Sequence, residues 1–350
     1  MTRVRARGEK IRQFILQQVE SQPADIGKVA AAKFQITRQA VNKHLRKLTD
    51  EGSLKETGRT RARTYRLPPL SQWDRLYLIT PDLAEDLVWM NDVRPALGHL
   101  PDNVMNIWQT VFTEMFNNAI DHSGGTRIHV NLRKTASSTE MYLADDGVGI
   151  FRKIQSELGL LDERHAVLEL SKGKLTTDPA RHTGEGIFFA SRMVDSFDIL
   201  SGGVYFTRKF GAAEDWILEP DRFESGTSVW MKLSNHTART TRKIYDQYAS
   251  AEDDYRFNKT VVPVRLAQYG DDKLVSRSQA KRVLARVDLF KTVIFDFAGV
   301  DSIGQAFADE MFRVFSLEHP EIELLTIHAN SAVKQMIDRA RIPQESEKTL

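Results

Sequence analysis

Apolar residues recur at helical spacing through the first fifty positions: Ile11, Phe14, Ile15 and Val19 form one stripe along 8–20, and Val41, Leu45 and Leu48 another along 38–51. A short helix is predicted between them, over 26–33. Thr37 is a residue type that caps a helix start, and Gly52 one that stops a helix. The helix over 38–51 turns Arg38, Gln39, Asn42, Lys43 and Arg46 away from its apolar stripe. Beyond Gly52 the pattern predicts a β-hairpin turning at Thr57-Gly58, closed by Pro68-Pro69.

Farther along, 70–100 reads as a bridging stretch with an amphipathic helix near 83–90, and Pro101-Asp102 opens a long helix to His122. Alternating strands are predicted at 126–132 and 140–144, then a charged, helix-rich segment over 151–182 and a helix over 186–196. Strands follow near 197–200, 204–210, 215–218 and 227–233. Residues 235–259 are polar with no sustained apolar period, which predicts a linker or an extended connecting helix. From 260 onward a strand (261–266), helix (276–289), strand (292–297), helix (305–315), strand (322–327) and helix (332–340) imply a small sheet with helices packed on it.

Length makes a single core improbable on size grounds: 350 residues suit two or three domains of roughly 70 to 150 residues. Hydrophobic content of 41% and charged content of 27% are those of an ordinary globular chain. No apolar run approaches the roughly 20 residues of a membrane span, so no membrane association is expected. The basic start, Met1-Thr-Arg-Val-Arg-Ala-Arg-Gly8, leads into an amphipathic segment rather than a signal-type apolar stretch, and cysteine is absent. A cytoplasmic location is the expectation. Charge is uneven: residues 1–67 hold 16 Lys and Arg against 6 Asp and Glu, while the whole chain is only +2. The N-terminal end is therefore suited to a polyanion.

Candidate chemistry sits in the middle. Glu114, Asn118 and His122 lie one turn apart on a single helical face, so a carboxylate and a carboxamide look the same way. Asn118 offers a neutral oxygen suited to Mg²⁺, and Glu114 a base. Asp145-Asp-Gly147-Val-Gly149 ends a strand in a glycine turn, Thr183-Gly184-Glu-Gly186 precedes a helix, and Ser225-Gly226-Thr227 opens a strand. Taken singly, each also reads as a solvated helix face or a plain turn.

In that order, on helix, strand end, helix start and strand start, the four segments resemble the N, G1, G2 and G3 boxes of the GHKL (Bergerat-fold, histidine kinase-like) ATP-binding superfamily. The resemblance covers roughly 85–233. It implies ATP and Mg²⁺ as cofactors, with Asp145 accepting the adenine amino group, Thr227 beside it, Asn118 on Mg²⁺, and Gly184 with Gly186 around the phosphates. Gly147 and Gly149 shape the turn. Residues 151–183 then stand where the family has its ATP lid, with Lys172, Lys174, Arg181, His182 and Thr183 as candidate phosphate contacts. Glu114 differs from the Asn usual in sensor histidine kinases, no phospho-acceptor hairpin is present, and the compact unit looks most like anti-sigma-factor serine kinases.

Residues 261–345 are similar to STAS-like domains, through Phe295-Asp-Phe-Ala-Gly-Val-Asp-Ser-Ile-Gly304, where Ser302 is a candidate phosphosite, though a buried turn serine is the alternative. Three helices and a basic hairpin resemble a winged helix-turn-helix domain. That implies double-stranded DNA as partner, with Arg38, Gln39, Asn42, Lys43 and Arg46 in the groove and Arg59, Arg61 and Arg63 on the wing.

The expected architecture is a multidomain α+β chain. It comprises a winged helix (1–67), a connecting segment (68–100), a GHKL α/β sandwich (101–234, or from near 82), a linker (235–259) and a small α/β STAS-like domain (260–345). The expected function is an ATP-binding transcriptional regulator. The alternative is an anti-sigma-factor-like serine/threonine kinase or ATPase acting on a STAS-type partner or on its own STAS-like domain. The resemblance also implies a partner of sigma or anti-sigma type and a homodimer.

Overall fold

The computed structural model describes residues 3–59, 62–175, 183–211, 216–218, 224–251, 254–268 and 273–342. Three helices, α1 (Arg3–Gln18), α2 (Ile26–Phe34) and α3 (Arg38–Asp50), precede an antiparallel hairpin of β1 (Lys55–Thr57) and β2 (Thr64–Arg66). The Thr37 hydroxyl accepts the Ala40 N–H at 3.2 Å and caps α3. Ile15, Val19, Ile26, Val41, Leu45 and Leu48 meet Leu54 and Tyr65 in a core of their own, against which Ala136 packs. The hairpin turns later than Thr57-Gly58, because Thr57 pairs with Thr64 and their hydroxyls bond at 2.8 Å.

Next come β3 (Ser71–Leu78), α4 (Glu85–Val88) and α5 (Arg94–Leu97) joined by a π-turn, α6 (Asp102–His122), β4 (Arg127–Lys134) and β5 (Ser138–Asp145). These lead to α7 (Ile150–Leu158), α8 (Glu163–Lys172), α9 (Gly186–Met193), β6 (Ser196–Gly202), β7 (Val204–Lys209), β8 (Trp216–Leu218) and β9 (Glu224–Ser234). The strands form one antiparallel sheet in the order β3-β4-β5-β9-β6-β7-β8. One sheet face carries Ile128, Val130, Leu143, Phe197, Ile199 and Met231 into the core that α6 fills with Trp108, Phe112 and Phe116. The pattern over 70–100 does not predict strand β3, since it holds apolar residues on both faces: Tyr77 is buried whereas Leu76 and Leu78 are exposed, which blurs the period of two.

The described residues of 235–259 form neither the linker nor the extended connecting helix expected of them. They build α10 (Thr241–Asp246) and the hairpin of β10 (Ala249–Ala251) with β11 (Asp254–Phe257). Tyr245, Tyr248 and Phe257 follow no repeat, and they converge only in space. The Phe257 ring lies 4.5 Å from Phe188, 5.0 Å from Phe189 and 5.2 Å from Phe290, so it joins α9 to the C-terminal unit. Burying one such ring contributes about 1.5–3 kcal/mol.

The C-terminal unit consists of β12 (Lys259–Pro263), α11 (Arg277–Leu284), β13 (Thr292–Asp296), α12 (Gln305–Asp309) continuing through a π-turn into α13 (Phe315–Glu318), β14 (Glu323–Ile327) and α14 (Ser331–Arg341). Its three strands are parallel in the order β12-β13-β14. The strand expected to reach 266 stops at Pro263 and passes into a 3-10 turn. The helix expected to reach 289 ends at Leu284, because Ala285 is extended and Arg286 adopts a left-handed backbone at φ +60°. A single apolar core runs from Tyr77 to Ala340, so the central and C-terminal units are packed together. No helix among the described residues is long and apolar enough to cross a membrane.

Candidate ligand-binding site

The last two turns of α6, the end of β5, the start of α9 and the start of β9 enclose a cavity of about 320 Å³. Glu114, Asn118, Asp145, Thr183, Gly184, Gly186 and Thr227 all line it, together with the apolar side chains Leu143, Ile150, Ile154, Ile187, Ile199 and Val229. Four short stretches, the first and last more than a hundred residues apart in the chain, thus converge on one space.

Asp145 and Asp146 are neighbours with opposite fates. Asp145 is half-buried, and its Oδ1 accepts the Gly147 N–H at 2.9 Å and the Thr227 N–H at 3.3 Å. Burial pushes its carboxyl above the usual range, with the two backbone N–H groups opposing that rise. Asp146 points outward and holds the Thr126 N–H at 2.6 Å, the Thr126 hydroxyl at 2.8 Å and the Arg127 N–H at 2.9 Å. These bonds keep its carboxyl low, the Thr126 hydroxyl foremost. Strand alternation sends one carboxylate into the cavity and leaves its neighbour to brace the turn.

The glycines earn their places through close approach. Gly226, at φ +79°, passes so near β5 that an added Cβ would sit 2.0 Å from the Asp145 carbonyl oxygen. At Gly186 a Cβ would meet the Glu114 carboxylate at 2.0 Å, so the start of α9 lies directly against that side chain. Gly147 and Gly149 are not in the cavity wall; Gly147 packs on the Ser123 backbone and Gly149 on Ser201 and Gly226. They shape the turn that aims Asp145. The Thr227 hydroxyl accepts the Ile150 N–H at 3.0 Å, tying β9 to the start of α7.

Half-buried Asn118 lines the cavity, and its amide nitrogen, itself buried, has no hydrogen-bond partner among the described residues. Lys153 also lines the wall, donating to the His122 carbonyl at 2.9 Å. Composition and motif spacing do not single Lys153 out; the signal for it is its place one turn from Ile150 and one residue from Ile154 on α7. Glu185 sits half-buried beside the cavity, its carboxyl raised by burial and by Glu114 and lowered by Lys174.

The remaining candidates fall elsewhere. Lys172 is fully buried on Glu169 at 2.7 Å, away from the cavity wall, which removes it from simple phosphate contact. Lys174 donates to the Leu289 carbonyl at 2.8 Å and is also outside the wall. Arg181 and His182 lie outside the described residues, as does Arg61. Arg38, Gln39, Asn42, Lys43 and Arg46 are exposed along one face of α3, and Arg59 is exposed on the hairpin loop. Arg63 is exposed but paired with Glu56 at 3.0 Å. Ser302 is half-buried in the turn between β13 and α12.

Residues 279–334 match a family described as a STAS-like domain of unknown function (DUF4325), which spans most of α11 through the start of α14. Residues 279–334 of the C-terminal unit are thus STAS-like in sequence. A search of curated proteins found no match to the chain.

Proposed function

We propose that the central unit is a GHKL-type ATP site and that the chain is an ATP-binding transcriptional regulator whose N-terminal winged helix-turn-helix unit binds double-stranded DNA. The observation that carries the reading is the convergence of Glu114, Asn118, Asp145, Gly184, Gly186 and Thr227 on one half-apolar cavity. Such a cavity suits a planar base with a polar tail. The lining fits the ligand: a half-buried acceptor at Asp145 for an exocyclic amino group, an unpartnered amide nitrogen at Asn118, and glycines at the start of α9 where a Cβ would press on Leu175 and Glu114. Asn118 would hold Mg²⁺ through its amide oxygen, and the ion would supply charge neutralisation at the phosphates. Support for the DNA reading is the charge of the first 67 residues and the exposed cationic face of α3.

A second reading has one specific observation behind it: Glu114 stands in the cavity against Gly186, where a carboxylate is placed to take a proton from an attacking hydroxyl or water. On that reading the chain is a serine/threonine kinase or an ATPase, Ser302 or a STAS-type partner of sigma or anti-sigma type being the acceptor, and the family resemblance adds a homodimer. Incubation with γ-labelled ATP separates the two. Label on protein favours a kinase and released phosphate an ATPase; retention of intact ATP favours a nucleotide-gated binder. No ATP binding by calorimetry would overturn both.

A further inference from the structure

A polar seam lies between the cavity and the STAS-like unit. The three protons of the Lys172 ammonium meet three acceptors: Glu169 Oε1 at 2.7 Å, the Arg282 carbonyl at 3.0 Å and the Ala285 carbonyl at 2.7 Å. Arg286 donates to Glu169 Oε2 at 3.1 Å, to the Gly173 carbonyl at 3.4 Å and to the Lys174 carbonyl. The Thr260 hydroxyl donates to the Lys172 carbonyl at 2.6 Å. On its other side the same segment borders the cavity, since Leu170 and Leu175 line it and the Leu175 N–H donates to the Gly184 carbonyl at 3.1 Å. Residues 169–175 are therefore shared between the ligand space and the C-terminal unit.

Lys174 is the exchangeable group in this seam. Unlike Lys172 it is only half-buried, and its ammonium donates to the Leu289 carbonyl at 2.8 Å and lies 4.7 Å from the centre of the Phe290 ring. Its backbone is left-handed at φ +51°, as is that of Arg286 at φ +60°, so the seated arrangement carries backbone strain in non-glycine residues on both sides. A phosphate chain reaching Gly184 and Gly186 would arrive beside two carboxylates, Glu114 and Glu185, and would need cations there.

We propose that the STAS-like unit and the ligand's phosphates compete for Lys174, so that seating of the C-terminal unit on 169–175 and occupancy of the cavity oppose each other. This inference rests on the ATP reading above. Lys174 leaves the Leu289 carbonyl and the Phe290 ring when phosphates are present, and the seam loosens. By reciprocity, anything that pulls the STAS-like unit away raises affinity for the nucleotide by the same factor.

The test uses the full chain with MgATP, by calorimetry and by hydrogen exchange of residues 282–290. Arg286→Ala loosens the seat from outside the cavity and is expected to tighten ATP binding within the range of about 5- to 150-fold usual for coupled sites. In the wild-type protein ATP is expected to speed exchange over 282–290, and Lys174→Met to weaken ATP binding and abolish that acceleration. Arg286→Ala binding ATP no more tightly than wild type, or exchange that ATP leaves unchanged or slows, overturns the proposal. Should Arg286→Ala fail to fold, exchange in wild type against Lys174→Met decides alone. Failure of the wild-type protein to bind ATP, or binding indifferent to Asp145→Asn, overturns the underlying site reading and this inference with it. Binding that depends on Asp145 without the coupling overturns the inference only.

Discussion

Replacing Asp145 by asparagine should separate recognition from folding, whereas alanine should damage both. Asn keeps an Oδ1 acceptor where the Gly147 and Thr227 N–H groups reach it at 2.9 and 3.3 Å, so the turn and the start of β9 remain pinned. It also removes a carboxylate whose burial is unfavourable, so stability should hold or rise slightly. What changes is the second position of the side chain, where an acceptor becomes a donor. A hydrogen bond to a charged acceptor is worth about 1.5–3 kcal/mol, or roughly 10- to 150-fold in affinity for a ligand amino group. Alanine leaves two backbone donors without their acceptor, costing about 1–3 kcal/mol for each that water does not reach. Calorimetric titration with ATP, alongside urea denaturation of each variant, measures the two effects independently. Wild-type ATP affinity in a folded Asp145→Asn protein would refute the role given to this carboxylate.

Because burial raises the Asp145 carboxyl above the ordinary range, an amino donor that prefers the ionised form must displace a proton on acidification. Adenosine, which has no phosphate to titrate, should bind more weakly as pH falls through that raised value, and a flat pH profile would contradict the assignment. The same shift works oppositely on folding, since the ionised form is disfavoured above the raised value and that cost disappears as pH falls through it. Gly226→Ala should destabilise the chain by about 1–3 kcal/mol from its left-handed backbone alone, with the Asp145 carbonyl 2.0 Å from the new Cβ adding to this; an unchanged urea midpoint would show that β9 shifts freely. Duplex DNA binding should weaken steeply with salt, and Arg46→Ala or Arg59→Ala should each lower the slope by about one. Arg63→Ala should do less, because Arg63 is already paired with Glu56 at 3.0 Å; equal effects of all three would argue against a directed interface.

Local patterns were enough for much of the chain, because helix stripes, caps and glycine turns act over a few residues. Thr37 before α3, the long α6 to His122, and the alternating run of the small parallel sheet were all legible on that scale. Glu114, Asn118, Asp145 and Thr227 each stand at a helix face or strand end that its neighbours announce, and the fold brings all four to one cavity. Packing between distant segments was not legible. Strand β3 escaped notice because an edge strand with leucines on its outer face has lost its alternation, and 235–259 escaped because Tyr245, Tyr248 and Phe257 share no period along the chain, only a common neighbour in Phe189. The lysines near the cavity show the limit most sharply: Lys172 stood in sequence where a phosphate contact was expected, yet it is held by carbonyls of the C-terminal unit; Lys174 rests on the Leu289 carbonyl, while Lys153 lines the wall. A flexible ammonium goes to whichever acceptors the tertiary fold brings within reach, and those acceptors lie more than a hundred residues away.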